Sequence, residues 1–434
     1  MGLCACKFEP SAFAPDEDAP DAQDAPTGDG AVGGCVAPAP FDAGLTPTTT
    51  LHVSPRGSAT PDGSLANPFG SIGAAVAGRA PGTRIELLAG TYPGELITDL
   101  HGTAMAPFWI EGPASGERAR FTSLLRFAGP QYVAVRHLDI VSDTRALTFD
   151  DDGNRSAGIA HHIAVADVVA SGPAGTGDCL QLTGVDDVSF DRVESTGCRV
   201  GLRVSGSHRA VLMRLQVATT TFAGIVVQSG SDQVEVRQST LTNTGQRGIW
   251  IGGSSSEDEF RPPLSMRDGN YESAHVRVLN TMITGTGLEA IACSHCRDSV
   301  VAGSLIRGSW TEIGHLIAEH GPIAGHAFLP SGKLAWKNNA IEVTSNAIPM
   351  VADSGTDLAS VERSHNLWNG TEPPASDEPG MIRNMTSGYD ASGQLCGGAA
   401  SHAGVAVPEL PSTFDGECRP DPPSIGPDEP APGC

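Results

Sequence analysis

Residues 178–253 contain the stretch DCLQLTGVDDVSFDRVESTG (178–197), VGLRVSGSHRAVLMRLQVATT (200–220), AGIVVQSGSDQVEVRQSTLTNT (223–244) and RGIWIGG (247–253). Three times over, a short apolar–polar alternation is followed by a turn-forming cluster and then a second alternation, and RGIWIGG opens a fourth that resumes at SAHVRVLNTMITGT (273–286). The lead apolar residues Leu180, Leu202, Ile225 and Ile249 stand 22, 23 and 24 residues apart. A second run follows each of them, through Val188, Ala210, Val234, Val276 and then Val300. Alternation with period two over three to five residues marks a half-buried strand, and Gly, Ser, Thr, Asn and Asp between the runs mark turns.

The pattern extends outward in both directions. YVAVRHLDI (132–140) and HHIAVADVV (161–169) precede it, and LEAIACSHCRDSVVAGSLI (288–306) and KLAWKNNAIEV (333–343) follow. Short strands at a fixed period of roughly 22 residues suit a solenoid whose turns pair with those above and below, whereas a propeller repeats nearer ~40. The expected fold is therefore all-β, a right-handed parallel β-helix of about 10–12 turns stacked at ~4.8 Å. The doubled gap from Ile249 to Ile291 marks an inserted loop over 252–272, GGSSSEDEFRPPLSMRDGNYE. End turns of a solenoid need covering. Ile72, Ala75, Val76 and Arg79 read as a short amphipathic cap helix near 71–79.

The 434 residues carry a net charge of −23, which argues against nucleic acid as a partner because phosphate binding needs a basic footprint. Arg supplies 24 of the 27 basic residues, a bias expected of a GC-rich genome. Residues 1–8 read as the remnant of a lipoprotein signal, with Leu3-Cys4-Ala5-Cys6 placing Cys6 as the acylated residue. Residues 9–47 are rich in Ala, Pro, Asp and Gly, and read as a disordered acidic tether. The β-helix is expected over 48–370 and a loop-rich tail over 371–434. Ten cysteines suit an oxidising compartment. Cys396 with Cys418 is the expected disulfide, and Cys179 with Cys198 a weaker pair. The implied setting is a secreted or outer-membrane, cell-surface lipoprotein that touches membrane only through its lipid, as a monomer.

Residues 53–92, VSPRGSATPDGSLANPFGSIGAAVAGRAPGTRIELLAGTY, resemble the opening of secreted bacterial β-helix proteins of the pectate-lyase-like group. The matching positions are Val53, Gly57, Asp62, Gly63, Asn67, Pro68, Phe69, Ile72, Ala75, Pro81, Gly82, Ile85, Gly90 and Tyr92. HNLWNG (365–370) and FDGECRPDPPSIGPDEP (414–430) resemble the tails of the same group, where such motifs close the last turn. The resemblance implies the fold over roughly 48–430. It implies no catalytic residue, because the group mixes lyases, hydrolases, epimerases and proteins without known activity.

Three constellations carry chemistry. FDDDGN supplies Asp150, Asp151, Asp152 and Asn154, oxygen ligands for calcium if Asp143 or Asp178 joins them; the bland alternative is a solvated acidic turn. With the lead residues inward, Gln181, Arg203, Val226 and Trp250 form an outward column, in which Trp250 stacks on a sugar and Arg203 and Gln181 bind its polar groups. The alternative is sheet decoration beneath the 252–272 loop. Cys293-Ser294-His295-Cys296 with His315 and His320 has the ligand count of a zinc site, with His320 above His295. A disulfide or simple burial fits an exported chain better. His161-His162 opens a strand, with one ring inward and one outward, and a turn-capping role is expected.

Two classes of function compete. One is a surface β-helix that binds a polysaccharide or envelope glycan, or serves as scaffold, without catalysis. The other is a polysaccharide lyase or glycoside hydrolase. The absence of a matching catalytic set and the scarcity of Lys favour the first.

Overall fold

The computed structural model describes residues 39–431 apart from 155–157, 174, 267–268, 319–320 and 373–377. Cys6 and most of the expected tether lie outside these residues. All the strand ladders are parallel, and each coil contributes up to three strands. One 14-stranded sheet starts at Thr49–Val53 and runs through Val185–Asp191, His208–Met213 and Ser231–Arg237 to Glu362–Ser364. We call it the second face. The lead strands and the third strands of each coil form the other, 19-stranded sheet. They merge because Met282–Ser294, Leu305–Ile317 and Ala340–Ala352 each run unbroken across both positions. Parallel crossovers of this kind are right-handed, so the coil is a right-handed β-helix.

The lead residues fall in one register: Leu180 pairs with Leu202, then Ile225, Ile249 and Ile291. On the second face Val188, Ala210 and Val234 stack as expected. Val300 does not continue that column. It stands over Arg277, leaving Val301 as the fully buried residue above Val278. The register is unbroken across the 252–272 insertion, with Ser231 beside Ser273 and Glu235 beside Arg277, so the column passes through Val276 and the next coil places Val300 one position beyond it.

A bend closes the second strand of most coils, with its residue in the left-handed region: His137, Asp167, Arg192, Arg214, Gln238, Asn280, Asn338 and His365 all have φ between 47° and 57°. Polar side chains tolerate that conformation better than branched ones. The core inside the coil is stacked side chains, with Phe127 and Phe149 rings 5.0 Å apart near one end and Trp310, Trp336 and Trp368 fully buried toward the other. Each such burial contributes roughly 1.5–3 kcal/mol or more.

The opening motif has physical reasons. Gly63 has φ +82°, and a Cβ there would lie 2.6 Å from Leu51 and 2.8 Å from Phe69. The Tyr92 hydroxyl donates within reach of both Val53 O (3.0 Å) and Leu88 O (2.7 Å). The helix spans Ile72–Val76, shorter than expected, and Glu95 accepts from its first two N–H groups. Arg79 lies beyond it, over the Phe69 ring.

Both ends of the chain differ from expectation. The end of the expected tether lies on the second face: buried Asp42 accepts from the Trp109 indole at 2.9 Å and pairs with Arg136. The tail motifs do not close the last turn. Arg419 donates to Asn280 Oδ1 (2.7 Å) and to the carbonyls of Ser412, Ser424 and Gly426, several coils before the end. Leu395 and Ile425 pack on Leu305, Ala340 and Leu367, so the tail runs back along the coil.

Candidate functional site on the lead face

Strand geometry sends every second side chain of the lead strands outward. The expected column exists in register, Gln181–Arg203–Val226–Trp250, and continues to Ala292 and His315. Trp250, however, is 5% exposed, not an open platform. Val200, Ala223, Val226, Ala292 and Ile317 form an apolar patch around it, Ser294 accepts from its indole N–H at 2.8 Å, and the Arg247 guanidinium lies 4.0 Å from its ring centre. Arg203 spends its donors on Asp178 (2.5 Å) and Gln228 (3.0 Å), and Gln181 donates to Thr183. Half-buried Phe222 lies beside Trp250, with the Arg199 and Arg247 guanidiniums over its ring at 4.6 and 5.7 Å from the centre.

The acidic loop is committed to arginines. Asp150 takes a two-pronged bond from Arg126 (2.6 and 2.9 Å), with Asp152 3.5 Å from the same group. Asp151, 1% exposed, takes another from Arg261 (2.6 and 3.3 Å). Asp150 and Asp152 thus share the Arg126 guanidinium, while Asp151 between them faces Arg261. Asp178 is held by Arg203. Cys293 and Cys296 are joined in a disulfide, as are Cys179 and Cys198, which removes the thiolates a zinc site would need. His320 lies outside the described residues. Cys396 and Cys418 are both in disulfides.

His161 and His162 do not alternate. His162 has φ 57°, and both rings are half-buried, their Nδ1 atoms 2.8 Å apart against Tyr132.

Two residues before each lead residue runs a second outward column: Asp178, Val200, Ala223, Arg247, Glu289 and Glu312. Its last two members stack in adjacent coils, and His315 reaches both, with Nδ1 2.8 Å from Glu312 Oε2 and 3.5 Å from Glu289 Oε1. Arg247 Nε lies 3.1 Å from the other Glu289 oxygen, and Asp353 is 3.2 Å from His315 Nε2. Burial raises the Glu312 pKa; nearby His315 opposes this, and the carboxylates of Glu289 and Asp353 add to it. Asp353 is held low by the Ala318 N–H and by His315.

Sequence reasoning found His315 only as a zinc ligand and missed both glutamates. Their 23-residue separation, one repeat, was the available signal.

No family model and no curated protein matches the sequence. Among solved structures, pectate lyase Pel9A aligns at TM-score 0.47 with 14% identity, over 89% of this chain and 98% of its own. A rhamnogalacturonan lyase aligns at 0.46 with 12% identity, over 73% and 87%. The A-module of the Azotobacter vinelandii mannuronan C-5 epimerase AlgE6 aligns at 0.46 with 14% identity, over 71% and 92%. The parallel β-helix rests on the chain's own strand ladders, and its chemistry on its own side chains.

Proposed function

We propose that this chain binds a glycan along the outer side of its lead face, at the cluster of Arg199, Phe222 and Arg247. The observation behind this reading is that cluster, an aromatic ring with two guanidiniums over it, on a flat row of parallel strands. A polysaccharide repeats as the coils do and can run along them. The test is retention of the full chain on gels of immobilised glycans, beside Phe222→Ala and Arg199→Ala. Loss of retention in both supports the site, and equal retention by all three removes it.

A second reading is hydrolysis, favoured by the stacked Glu289 and Glu312. Paired carboxyls cleave a glycosidic bond when one protonates the leaving oxygen and the other attacks or activates water. Reducing ends released by wild type and lost in both Glu289→Gln and Glu312→Gln support it. Binding without product leaves the non-catalytic form. Unsaturated uronate product points to a lyase instead.

We further propose that the natural product is acylated on Cys6 and displayed at the cell surface. The Leu3–Cys6 pattern and the acidic residues after it support this. Palmitate label lost in Cys6→Ser is the expected outcome, and label kept in that variant removes the idea.

A further inference from the structure

We infer that Glu289, Glu312 and His315 bind a divalent first-row transition ion. This goes beyond the glycan reading and stands on these side chains alone. One donor atom from each residue lies within 4.8 Å of the other two. Two donors on one ion with bonds of ~2.1 Å sit roughly 3–3.4 Å apart, so closing the set takes only side-chain rotation.

Three features point to a cation at this spot. The first is charge. Glu289, Glu312 and Asp353 bring three carboxylates around His315, against one guanidinium among the described residues, that of Arg247.

The second is the orientation of the imidazole. Asp353 Oδ1 lies 3.2 Å from His315 Nε2, and its other oxygen accepts from the Ala318 N–H at 3.1 Å. A carboxylate on one ring nitrogen fixes the tautomer with that nitrogen protonated, which presents the lone pair of the other. Here the presented atom is Nδ1.

The third is what Nδ1 faces. Glu312 Oε2 stands 2.8 Å away, yet both atoms are buried and neither makes a hydrogen bond, the approach lying off the required direction. Two buried acceptors this close repel unless a positive charge offsets them. Glu289, 5% exposed and braced by Arg247, supplies the third donor from the coil below.

The donor set selects the ion. Imidazole is a poor ligand for Ca²⁺ or Mg²⁺ and a good one for Zn²⁺, Ni²⁺ or Cu²⁺. Zn²⁺ is the probe of choice, having no geometric preference of its own.

The experiment is calorimetric titration of the metal-stripped full chain with ZnCl₂. His315→Ala, Glu312→Gln and Glu289→Gln are the test variants. His275→Ala is the control, since His275 pairs with Asp232, on the opposite sheet. Far-UV circular dichroism establishes that each variant is folded. One saturable site in wild type and in the control, weakened at least about tenfold in the three variants, is the expected result. No saturable binding by wild type, or binding equal in all five proteins, overturns the inference; a protonated imidazole would then be the bridging charge. Glycan retention is measured in parallel with Zn²⁺ and with chelator. Zinc binding without glycan retention removes only the glycan reading, and the reverse removes only the ion.

Discussion

Arg261 donates to both carboxylate oxygens of Asp151, a residue 110 positions earlier, at 2.6 and 3.3 Å. The pair is buried and ties the 252–272 insertion down across several coils. Beneath it lie glycines that leave it room: a Cβ on Gly206 would sit 2.5 Å from Arg261 Cγ, and one on Gly184 2.5 Å from Asp151 Oδ2. Glu272 closes the base of the same loop, accepting from the N–H groups of Ser229 and Ser255.

Arg261→Ala strands a buried carboxylate, a change that costs about 3–5 kcal/mol when one partner of such a pair is removed. Equilibrium denaturation of the variant reads this loss. The double change Asp151→Leu with Arg261→Met restores most of it, because two apolar side chains need no compensation. A double variant no more stable than Arg261→Ala would contradict the account.

Gly206→Ala combines left-handed backbone with collision against Arg261, whereas Gly153→Ala shares the backbone (φ +73°) but meets nothing within 4 Å. The second should cost about 1–2 kcal/mol. The first should cost about 1–3 kcal/mol more from overpacking. Melting temperatures of the two variants provide the comparison.

Trp250→Ala and Phe222→Ala separate packing from recognition. Removing a buried Trp costs about 3–5 kcal/mol, so Trp250→Ala should lower the denaturation midpoint whatever the ligand. Phe222 is half-buried, and its loss should change stability much less while abolishing glycan retention. The opposite ranking would return the sugar platform to Trp250.

Stability should fall as pH drops through the histidine range. Burial lowers the pKa of both His161 and His162; the charges of His162 and His101 add to this at His161 and that of Arg209 at His162, while Asp187 and Asp186 oppose it at both. A base whose folded pKa is depressed takes its proton more readily unfolded, so stability is full above ~6.5 and declines below it, until the folded pKa is passed. Denaturation midpoints at steps between neutral and mildly acidic pH would show the slope. His161→Asn should flatten it; an unchanged slope in that variant would assign the effect elsewhere.

Periodicity alone was enough for the strands, the coil and the lead-face register, because a period-two pattern repeating every coil leaves a parallel stack one way to bury Leu180, Leu202, Ile225 and Ile249 together. The column Gln181–Arg203–Val226–Trp250 followed from the same arithmetic. What those outward side chains touch did not. Trp250 is covered because the patch beside it comes from coils before and after, including Ile317, 67 residues on. Asp150 and Asp151 are neighbours in sequence, but their partners Arg126 and Arg261 lie 24 and 110 residues away, and only the stacked coils bring them within reach. Glu289, Glu312 and His315 converge for the same reason. A repeat places residues in columns, but which charges neutralise one another depends on insertions and long-range side-chain reach that no local pattern encodes.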